Sequence, residues 1–275
     1  MSNKIAIQGI KGSFHHVVAL EYYGLDVNTL ECLSFDALVQ SIIDEKSVEG
    51  VMAIENSIAG SIIPNYALID SNNLSIVGEY NLTINHNLMT LKDQSINDLD
   101  EVHSHPMALL QCKDFFKSYP HIRLIEAADT ADVARSISED NLQRIGAIAP
   151  KEAATIYGLD ILAESIQTIQ DNVTRFVVVQ KKNGSLSESK INKASLKFIL
   201  DHQRGSLAAV LNVMSDCLLN LTKIQSLPVI QIPGKYAFFV DVTFETFEQY
   251  KKAKSILSIM ALEFKILGEY ANAKQ

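Results

Sequence analysis

The sequence has no run of apolar residues long enough to span a bilayer, which takes about 18 residues or more. It also has no cluster of basic residues, and its formal net charge at pH 7 is −8. An acidic chain without basic patches argues against nucleic acid and anionic membranes as partners. An anionic substrate would therefore need a locally positive pocket.

Cysteine is scarce, and no Cys-x-x-Cys pair is present. Cys32, Cys112 and Cys217 stand far apart and are odd in number. This pattern predicts reduced thiols that pack as small apolar groups. The first residues also lack the apolar core of a signal peptide, so we expect a soluble, cytoplasmic protein.

The 275 residues, 47% of them hydrophobic, are enough for one large domain and a small one. Strands and helices alternate from the N-terminus in two series, one up to about residue 70 and one from 101 to 163. An extended segment at 74–91 connects the two series, and a strand at 174–180 returns to the first. The pattern predicts a two-lobed α/β domain with a ligand cleft between its lobes.

A polar segment at 181–190 separates this part from the rest and is typical of a linker. Beyond it, strands are predicted at 195–200, 221–226, 236–243 and 264–270. One amphipathic helix carries Leu207 to Leu218, and a second spans roughly 246–261. The order β-α-β-β-α-β predicts an α+β, ferredoxin-like unit.

The segment Asp171-Asn172-Val173-Thr174-Arg175-Phe176 places a hydroxyl, a guanidinium and an aromatic ring at the start of an apolar strand. Alternation along a strand sends Thr174 and Phe176 to one face and Arg175 to the other. Hydrophobic packing does not require polar residues there. Arg175 could contact a ligand or form a structural ion pair, and we favour the ion pair.

Two polar turns follow predicted strands. Gly9-Ile10-Lys11-Gly12-Ser13-Phe14 is a glycine-framed turn with Ser13 as a helix cap, an arrangement that suits an anion or simply a tight turn. Glu55, Asn56 and Ser57 directly follow a strand, where α/β sheets bind ligands. Asn56 and Ser57 could equally cap the next helix.

A third turn, Ser104-His105-Pro106, ends another strand, and Gln111 follows in the helix, where its amide could reach the cleft. His103 and His105 lie two apart, as metal ligands on a strand can. No third ligand stands at a characteristic spacing, so we predict no metal site.

Together these segments resemble the prephenate dehydratases, enzymes of phenylalanine biosynthesis. The resemblance rests on the family's Thr-Arg-Phe signature at Thr174 to Phe176, its Ile-Glu-Asn-Ser stretch at Ile54 to Ser57, and its Gly-x-x-Gly-Thr-Phe opening, with Ser13 for threonine. Its Ser-His-Pro-Gln pattern is matched at Ser104 to Pro106, followed by Gln111-Cys112, with Met107 in place of glutamine.

The resemblance implies a catalytic domain at 1–182 with the two-lobed fold of periplasmic solute-binding proteins, a linker at 183–193 and an ACT regulatory domain at 194–275. It implies that prephenate is converted to phenylpyruvate without cofactor or metal and that Thr174 is the general acid. It also implies a set of substrate-binding residues, namely Ser13, Glu55, Asn56, Ser57, Ser104, Gln111, Arg175 and Phe176.

For the ACT part, the resemblance implies phenylalanine as effector and a homodimer or homotetramer. The implied effector-binding residues are Gly205, Ser206, Leu207, Asn220, Leu221 and Thr222. Gln225 and Leu227 replace a glutamate and an arginine of the family pattern, which favours weaker effector binding.

Two other functions remain open. A non-catalytic amino-acid sensor could have the same two parts, although it would not need Thr174, Asn56, Ser104 and Gln111 together. An arogenate dehydratase would share every motif. Because the dehydratase pattern starts at residue 4, we expect a monofunctional enzyme without a chorismate mutase domain.

Overall fold

The computed structural model describes residues 3–181, 187–201, 203–229, 232 and 235–273. The described chain forms two compact units. The first contains the residues up to Asn65 together with Tyr80–Phe176, and the second contains Tyr66–Glu79 and the residues from Val177 on.

The first lobe of the first unit is built on parallel strands. Its elements are β1 (Ile5–Gln8), α1 (Phe14–Tyr23), β2 (Thr29–Cys32), α2 (Phe35–Ile43), β3 (Glu49–Asn56), β4 (Gly60–Ser61) and the start of α3 (Ile63–Ser71). Strand β1 pairs in parallel with β2 and β3, and the start of β11 (Val173–Lys181) lies beside β3. Apolar residues of β1, α1 and β3 form its core.

The second lobe carries a mixed sheet of five strands. Its elements are β6 (Asn87–Thr90), β7 (Glu101–Ser104), α4 (Pro106–Gln111), α5 (Lys113–Phe116), β8 (Arg123–Glu126), α6 (Thr130–Glu139), β9 (Ile145–Ala149), α7 (Lys151–Tyr157) and β10 (Asp160–Ala163). The strand order is β10-β6-β9-β7-β8. Strands β7, β8 and β9 are parallel, and β6 runs antiparallel to β9 and β10.

Two predicted helices are present but differ in detail. The helix that follows Ser104-His105-Pro106 is interrupted at Cys112, whose φ of −101° and ψ of 3° separate α4 from α5. The helix after Ser57 begins only at Ile63, so Asn56 and Ser57 do not cap it. Asn56 instead closes a turn by accepting the N–H groups of Ile58 and Ala59, and the chain then forms β4.

The second unit contains the predicted β-α-β-β-α-β order. Its elements are β12 (Lys193–Ile199), α8 (Ser206–Asp216), β13 (Asn220–Pro228), β14 (Tyr236–Thr243), α9 (Phe247–Met260) and β15 (Glu263–Tyr270). The strands form an antiparallel sheet in the order β13-β14-β12-β15. Its core contains Phe198 and Val240 from the sheet and Val210, Met214 and Tyr250 from the helices.

The segment Tyr66–Glu79, which includes the first part of β5 (Leu74–Thr83), belongs to this second unit. Strand β5 pairs in parallel with β15 at Ile76 and Gly268, where a Cβ on Gly268 would lie 2.3 Å from the carbonyl oxygen of Ile76. Only glycine permits so close an approach. Nearby, the buried Lys193 ammonium lies 2.8 Å from a carboxylate oxygen of Glu79.

The predicted boundaries of 1–182, 183–193 and 194–275 therefore differ from the compact units, since they leave 66–79 with the N-terminal part. These three boundaries remain a prediction. Of the predicted linker, residues 183–186 lie outside the described residues, and Glu188–Lys190 forms a short 3-10 helix. No helix in the described part of the chain combines the length and apolar character that a membrane crossing requires.

Candidate active site

A cavity of about 340 Å³ lies between the two lobes of the first unit. Its lining residues come from strand ends, from helix starts and from the connection between β5 and β6. Aromatic and aliphatic side chains, including Phe14, Phe35, Ile84 and Phe176, form much of its wall. Of the predicted site residues, the lining includes Ser13, Asn56, Gln111, Thr174 and Phe176.

Thr174 and Asn56 are joined directly. Asn56 Nδ2 donates hydrogen bonds to Thr174 Oγ1 at 2.8 Å and to Asn172 Oδ1 at 2.6 Å. Thr174 is only 7% exposed, and Thr174 and Phe176 line the cavity while Arg175 does not, as strand alternation predicts. Because Thr174 Oγ1 accepts from Asn56, its own proton remains available for a ligand.

The hydrogen-bond network continues across the cleft. Asn172 Nδ2 and His86 Nε2 both approach Gln111 Oε1, each at 2.9 Å. Since that amide oxygen can only accept, His86 carries its proton on Nε2. Gln111 therefore uses its oxygen within the protein and keeps its Nε2 donor for a ligand. No site role was predicted for His86 or for Asn172, which is fully buried and stands two residues before Thr174.

His86 and His15 are neutral parts of the wall. Burial lowers the pKa of His86, against the opposing effect of the Gln111 hydrogen bond, and burial lowers the pKa of His15 to about 3. His15 Nε2 accepts the N–H of Ala53 at 3.3 Å, and its ring meets that of Phe176 edge-on. The two histidines thus shape the cavity without adding positive charge.

The backbone N–H groups of the glycine-framed turn are hydrogen-bonded within the first lobe. The N–H groups of Gly9, Lys11, Gly12 and Ser13 all donate to acceptors of the first lobe. Ser13 caps α1 by accepting the N–H of His16. The predicted anion seat is therefore reduced to the N–H groups of Phe14 and His15 at the start of α1, to which the described residues offer no acceptor.

Four predicted substrate-binding residues do not line the cavity, namely Glu55, Ser57, Ser104 and Arg175. Arg175 Nη1 lies 3.9 Å from Glu55 Oε2, an ion pair between β11 and β3. Ser57 accepts the N–H of Val173 at 3.0 Å. The fully buried Ser104 donates to the carbonyl of Ile148 at 2.7 Å. Their hydrogen bonds and ion pair connect the strands that carry the cavity.

Asp129 lines the cavity, although it was not among the site residues predicted from the sequence. It caps α6 because its Oδ1 accepts the N–H groups of Ala131 at 2.8 Å and Asp132 at 3.1 Å. Burial raises the pKa of its carboxyl above the ordinary value, although those N–H bonds oppose the effect. A carboxylate in a strand-to-helix turn was the only signal that the sequence offered. His105 and Met107, at the start of α4, also line the cavity.

The predicted effector residues of the second unit are not gathered around one cavity. Gly205, with φ of +85°, precedes α8, and Ser206 and Leu207 line a small pocket of about 110 Å³. Asn220, Leu221 and Thr222 begin β13 and do not line that pocket. Thr222 Oγ1 instead donates to the carbonyl of Asp241 at 3.2 Å.

No group of three or more His, Cys, Asp or Glu residues in the described part of the chain is arranged to hold a metal ion. His103 Nε2 lies 2.7 Å from Glu101 Oε2 and forms an ion pair when it is protonated. His105 Nδ1 accepts the N–H of Met107 at 3.2 Å. The two histidines thus have separate partners.

A family model for prephenate dehydratase matches residues 5–184. The chain belongs to the prephenate dehydratase family. It is 31% identical to the bifunctional chorismate mutase/prephenate dehydratase of Buchnera aphidicola subsp. Acyrthosiphon pisum, over 97% of this chain and 70% of that relative. It is 34% identical to arogenate dehydratase/prephenate dehydratase 2 of Arabidopsis thaliana, over 97% of this chain and 72% of that relative.

Solved structures show the same fold. The prephenate dehydratase of Arthrobacter aurescens, determined in complex with L-Phe, superposes with a TM-score of 0.89 at 23% identity, covering 98% of this chain and 90% of that one. GqqA, described as a novel type of quorum quenching acylase, superposes with a TM-score of 0.89 at 25% identity over 98% of both chains.

Family membership makes this chain an enzyme, a carbon–oxygen lyase that converts prephenate to phenylpyruvate in phenylalanine biosynthesis. Dehydration and decarboxylation of prephenate yield an aromatic ring, which drives the reaction. The enzyme must therefore bind a dianion, assist the departure of the ring hydroxyl and leave carbon dioxide an uncharged exit.

Proposed function

We propose that the cavity of the first unit binds prephenate with its ring against the aromatic wall and its ring hydroxyl at Thr174. This proposal rests on the hydrogen bond that Asn56 Nδ2 donates to Thr174 Oγ1 at 2.8 Å. It fixes the orientation of the hydroxyl and leaves the proton of Thr174 to hydrogen-bond to the leaving oxygen. The hydrogen bond from Thr174 to the leaving oxygen is stronger in a buried site than the same bond would be in water.

The carboxylates of prephenate would be bound by neutral donors. Gln111, whose Nε2 donor is not used within the protein, lines the cavity from one lobe, and Phe14 and His15, with the first N–H groups of α1, line it from the other. Among the described lining residues there is neither lysine nor arginine. Charge-assisted hydrogen bonds to such donors are stronger than neutral ones. Glu55, Ser57, Ser104 and Arg175 act indirectly in this proposal, by holding β3, β7, β9 and β11 in place.

The same cavity could accept arogenate, which carries an amino group where prephenate has a keto group. The 34% identity to an Arabidopsis thaliana relative named for both activities supports testing both substrates. We assign prephenate as the substrate of an enzyme that acts in the cytoplasm without cofactor.

The second unit would act as an ACT module. Its β-α-β-β-α-β order supports that assignment, and Gly205 allows close approach to a ligand, since no atom lies within 4 Å of the position of a Cβ there. Phenylalanine would be the effector, bound where the loops at Gly205 to Leu207 and Asn220 to Thr222 of two chains meet in a homodimer or homotetramer.

A direct assay tests the activity. The purified protein is incubated near neutral pH with prephenate or with arogenate, and phenylpyruvate and phenylalanine are measured separately. We expect phenylpyruvate from prephenate at a rate far above that in buffer alone. A higher kcat/KM for arogenate would reassign the substrate, and no turnover of either would favour the non-catalytic sensor.

A further inference from the structure

We infer that Asp129 supplies the proton that each turnover consumes: it enters the reaction as a neutral carboxylic acid and gives its proton to the departing hydroxyl. This inference rests on the proposed dehydration of prephenate and adds a residue that lies outside every recognised motif. Thr174 then hydrogen-bonds to the leaving oxygen, and Asp129 provides the proton that the product water carries away.

The charge balance of the reaction requires such an acid. Prephenate has two carboxylates, whereas the products are carbon dioxide, water and the phenylpyruvate monoanion. When the carbon–oxygen bond breaks, its electron pair leaves with the oxygen, and the pair of the broken carbon–carboxylate bond enters the ring. One proton must therefore reach the oxygen. A threonine that gave up its proton would remain as a strongly basic alkoxide, which makes threonine a poor final source.

The other titratable residues of the cavity wall are less suitable. His15 and His86 are neutral because burial lowers the pKa of each. His105 stands at the exposed start of α4, where its Nδ1 accepts the N–H of Met107. Asp129 is the one carboxyl among the described residues that line the cavity. A carboxylic acid is also far closer than a hydroxyl to the acid strength that suits proton transfer near neutral pH.

The geometry of Asp129 leaves one oxygen for the proton. Its Oδ1 is held by the N–H groups of Ala131 and Asp132, so Oδ2 is the atom that can be protonated. Oδ2 lies 2.9 Å from the position that a Cβ on Gly9 would take, and Ser13 Oγ lies 3.3 Å from that same position. Oδ2 therefore faces the glycine-framed turn of the opposite lobe, and the absence of a side chain at Gly9 makes room for it.

The surroundings of Asp129 shift its equilibrium towards the neutral form, and the reaction itself weakens that shift. Burial and the charge of Asp132 raise the pKa of Asp129, while the N–H groups on Oδ1 and the nearby His105 oppose them. Tyr157 of α7 interacts with the charge of Asp129 from a distance and is neutral at physiological pH, because burial raises its pKa to about 12. Its hydroxyl donates to the carbonyl of Lys11. A bound dianion adds further repulsion against an ionised Asp129, and loss of carbon dioxide removes part of that repulsion.

The test is Asp129→Asn, because asparagine caps a helix as well as aspartate does but carries no acidic proton. For the wild type we expect kcat to fall about tenfold per pH unit above the pKa of Asp129 in the complex. Asp129→Asn should lower kcat at neutral pH by roughly 10²–10³-fold, change KM little, and abolish this alkaline fall. Asp129→Ser, which also caps α6, should behave in the same way and covers the case of a poorly folding Asn variant.

Asp132→Asn is the matched control, because it neutralises a carboxylate of the same helix turn that pairs with Arg135 outside the cavity. It should keep wild-type kcat at neutral pH. Because a like charge beside Asp129 is lost, the pKa of Asp129 should decrease, and the decline of kcat at alkaline pH should begin at a lower pH. An Asp129→Asn enzyme with kcat within threefold of wild type, or with an unchanged alkaline fall, would overturn the inference alone. Wild-type protein that turns over neither prephenate nor arogenate would overturn the proposed function as well.

Discussion

The cleft of the first unit and the predicted effector loops of the second unit differ in how completely one chain forms them. In the cleft, His86, Gln111, Asn172, Asn56 and Thr174 are linked by successive hydrogen bonds of 2.6–2.9 Å around a cavity of about 340 Å³. The effector loops instead reach one pocket of about 110 Å³ and contribute only part of its lining. Residues predicted from motifs thus form a site only where the fold brings them together around one cavity.

The polar groups of the two regions differ in the same way. In the cleft, the oxygens of Gln111 and Thr174 accept hydrogen bonds from the protein, so the Nε2 group of Gln111 and the hydroxyl proton of Thr174 remain available to a ligand. In the second unit, Thr222 and Gln225 donate to carbonyl groups of their own sheet. The cleft thus presents buried donors already held in place for an anion, whereas in the second unit the donors are solvent-accessible and bonded to their own sheet.

The largest effect on activity should follow from removing the hydroxyl at Thr174. Thr174→Val keeps the volume and the buried strand, so the fold should persist while kcat falls roughly 10²–10⁴-fold, about 3–5 kcal/mol. Thr174→Ser keeps a hydroxyl and should retain most of the activity. Steady-state assays with prephenate measure both. A folded valine variant with wild-type kcat would mean that Thr174 has no part in the chemistry.

A substitution of similar energetic size in the second unit should affect stability and leave the cleft active. Glu79→Gln leaves the buried Lys193 ammonium without its carboxylate, which lies 2.8 Å away. We expect a loss of about 3–5 kcal/mol in the free energy of unfolding. Urea denaturation measures it, and kcat of the folded fraction should stay near wild type.

The control for Glu79→Gln is Asp114→Asn, which breaks the exposed pair with Lys117. Exposed pairs contribute little because water and salt screen them, so this variant should be nearly as stable as wild type. Equal losses in both variants would show that the buried pair contributes no more than a surface one.

The sequence predicted most elements because their signals are local. The strand predicted at 236–243 has both ends right in Tyr236–Thr243. The helix predicted at roughly 246–261 is Phe247–Met260, and Thr246 caps it. The placement of Tyr66–Glu79 in the second unit was not predicted. It depends on contacts distant in sequence, such as that between Ile76 and Gly268, and nothing within the segment indicates them.

The candidate site was predicted in part for the same reason. Thr174, Asn56 and Gln111 stand in family motifs, and the structure places all three at the cavity. His86 and Asp129 line it as single polar residues from separate segments. Their convergence is a property of the packed lobes, so no spacing rule within the sequence finds them. Asn172 stands in the same segment as Thr174, and its role follows only from its bonds to Asn56 and Gln111.

A smaller effect should come from the two amide side chains of the cleft: Asn56, whose donors hold Thr174 and Asn172, and Gln111, whose Nε2 donor is left for the substrate. Asn56→Ala removes the partner of Thr174, and Gln111→Ala removes the Nε2 donor; each should cost about 1.5–3 kcal/mol in kcat/KM. Ser57→Ala is a control from the same turn, because Ser57 contacts the backbone of Val173 and does not line the cavity. Normal kinetics for both Asn56→Ala and Gln111→Ala would mean that the substrate binds elsewhere.

The smallest effect concerns the second unit, where phenylalanine should inhibit the cleft through a coupling of about 1–3 kcal/mol. Gln225 and Leu227 lack the charges of the family pattern, so we expect inhibition at higher effector concentrations than an intact pattern would need. The double variant Gln225→Glu, Leu227→Arg restores both charges and should lower the concentration for half-inhibition several-fold, with unchanged kcat in the absence of effector. Titration of phenylalanine against activity measures the coupling, and sedimentation of the same samples reports the assembly size. An absence of inhibition up to millimolar phenylalanine, with no change in assembly size in either protein, would leave this unit with an assembly role only.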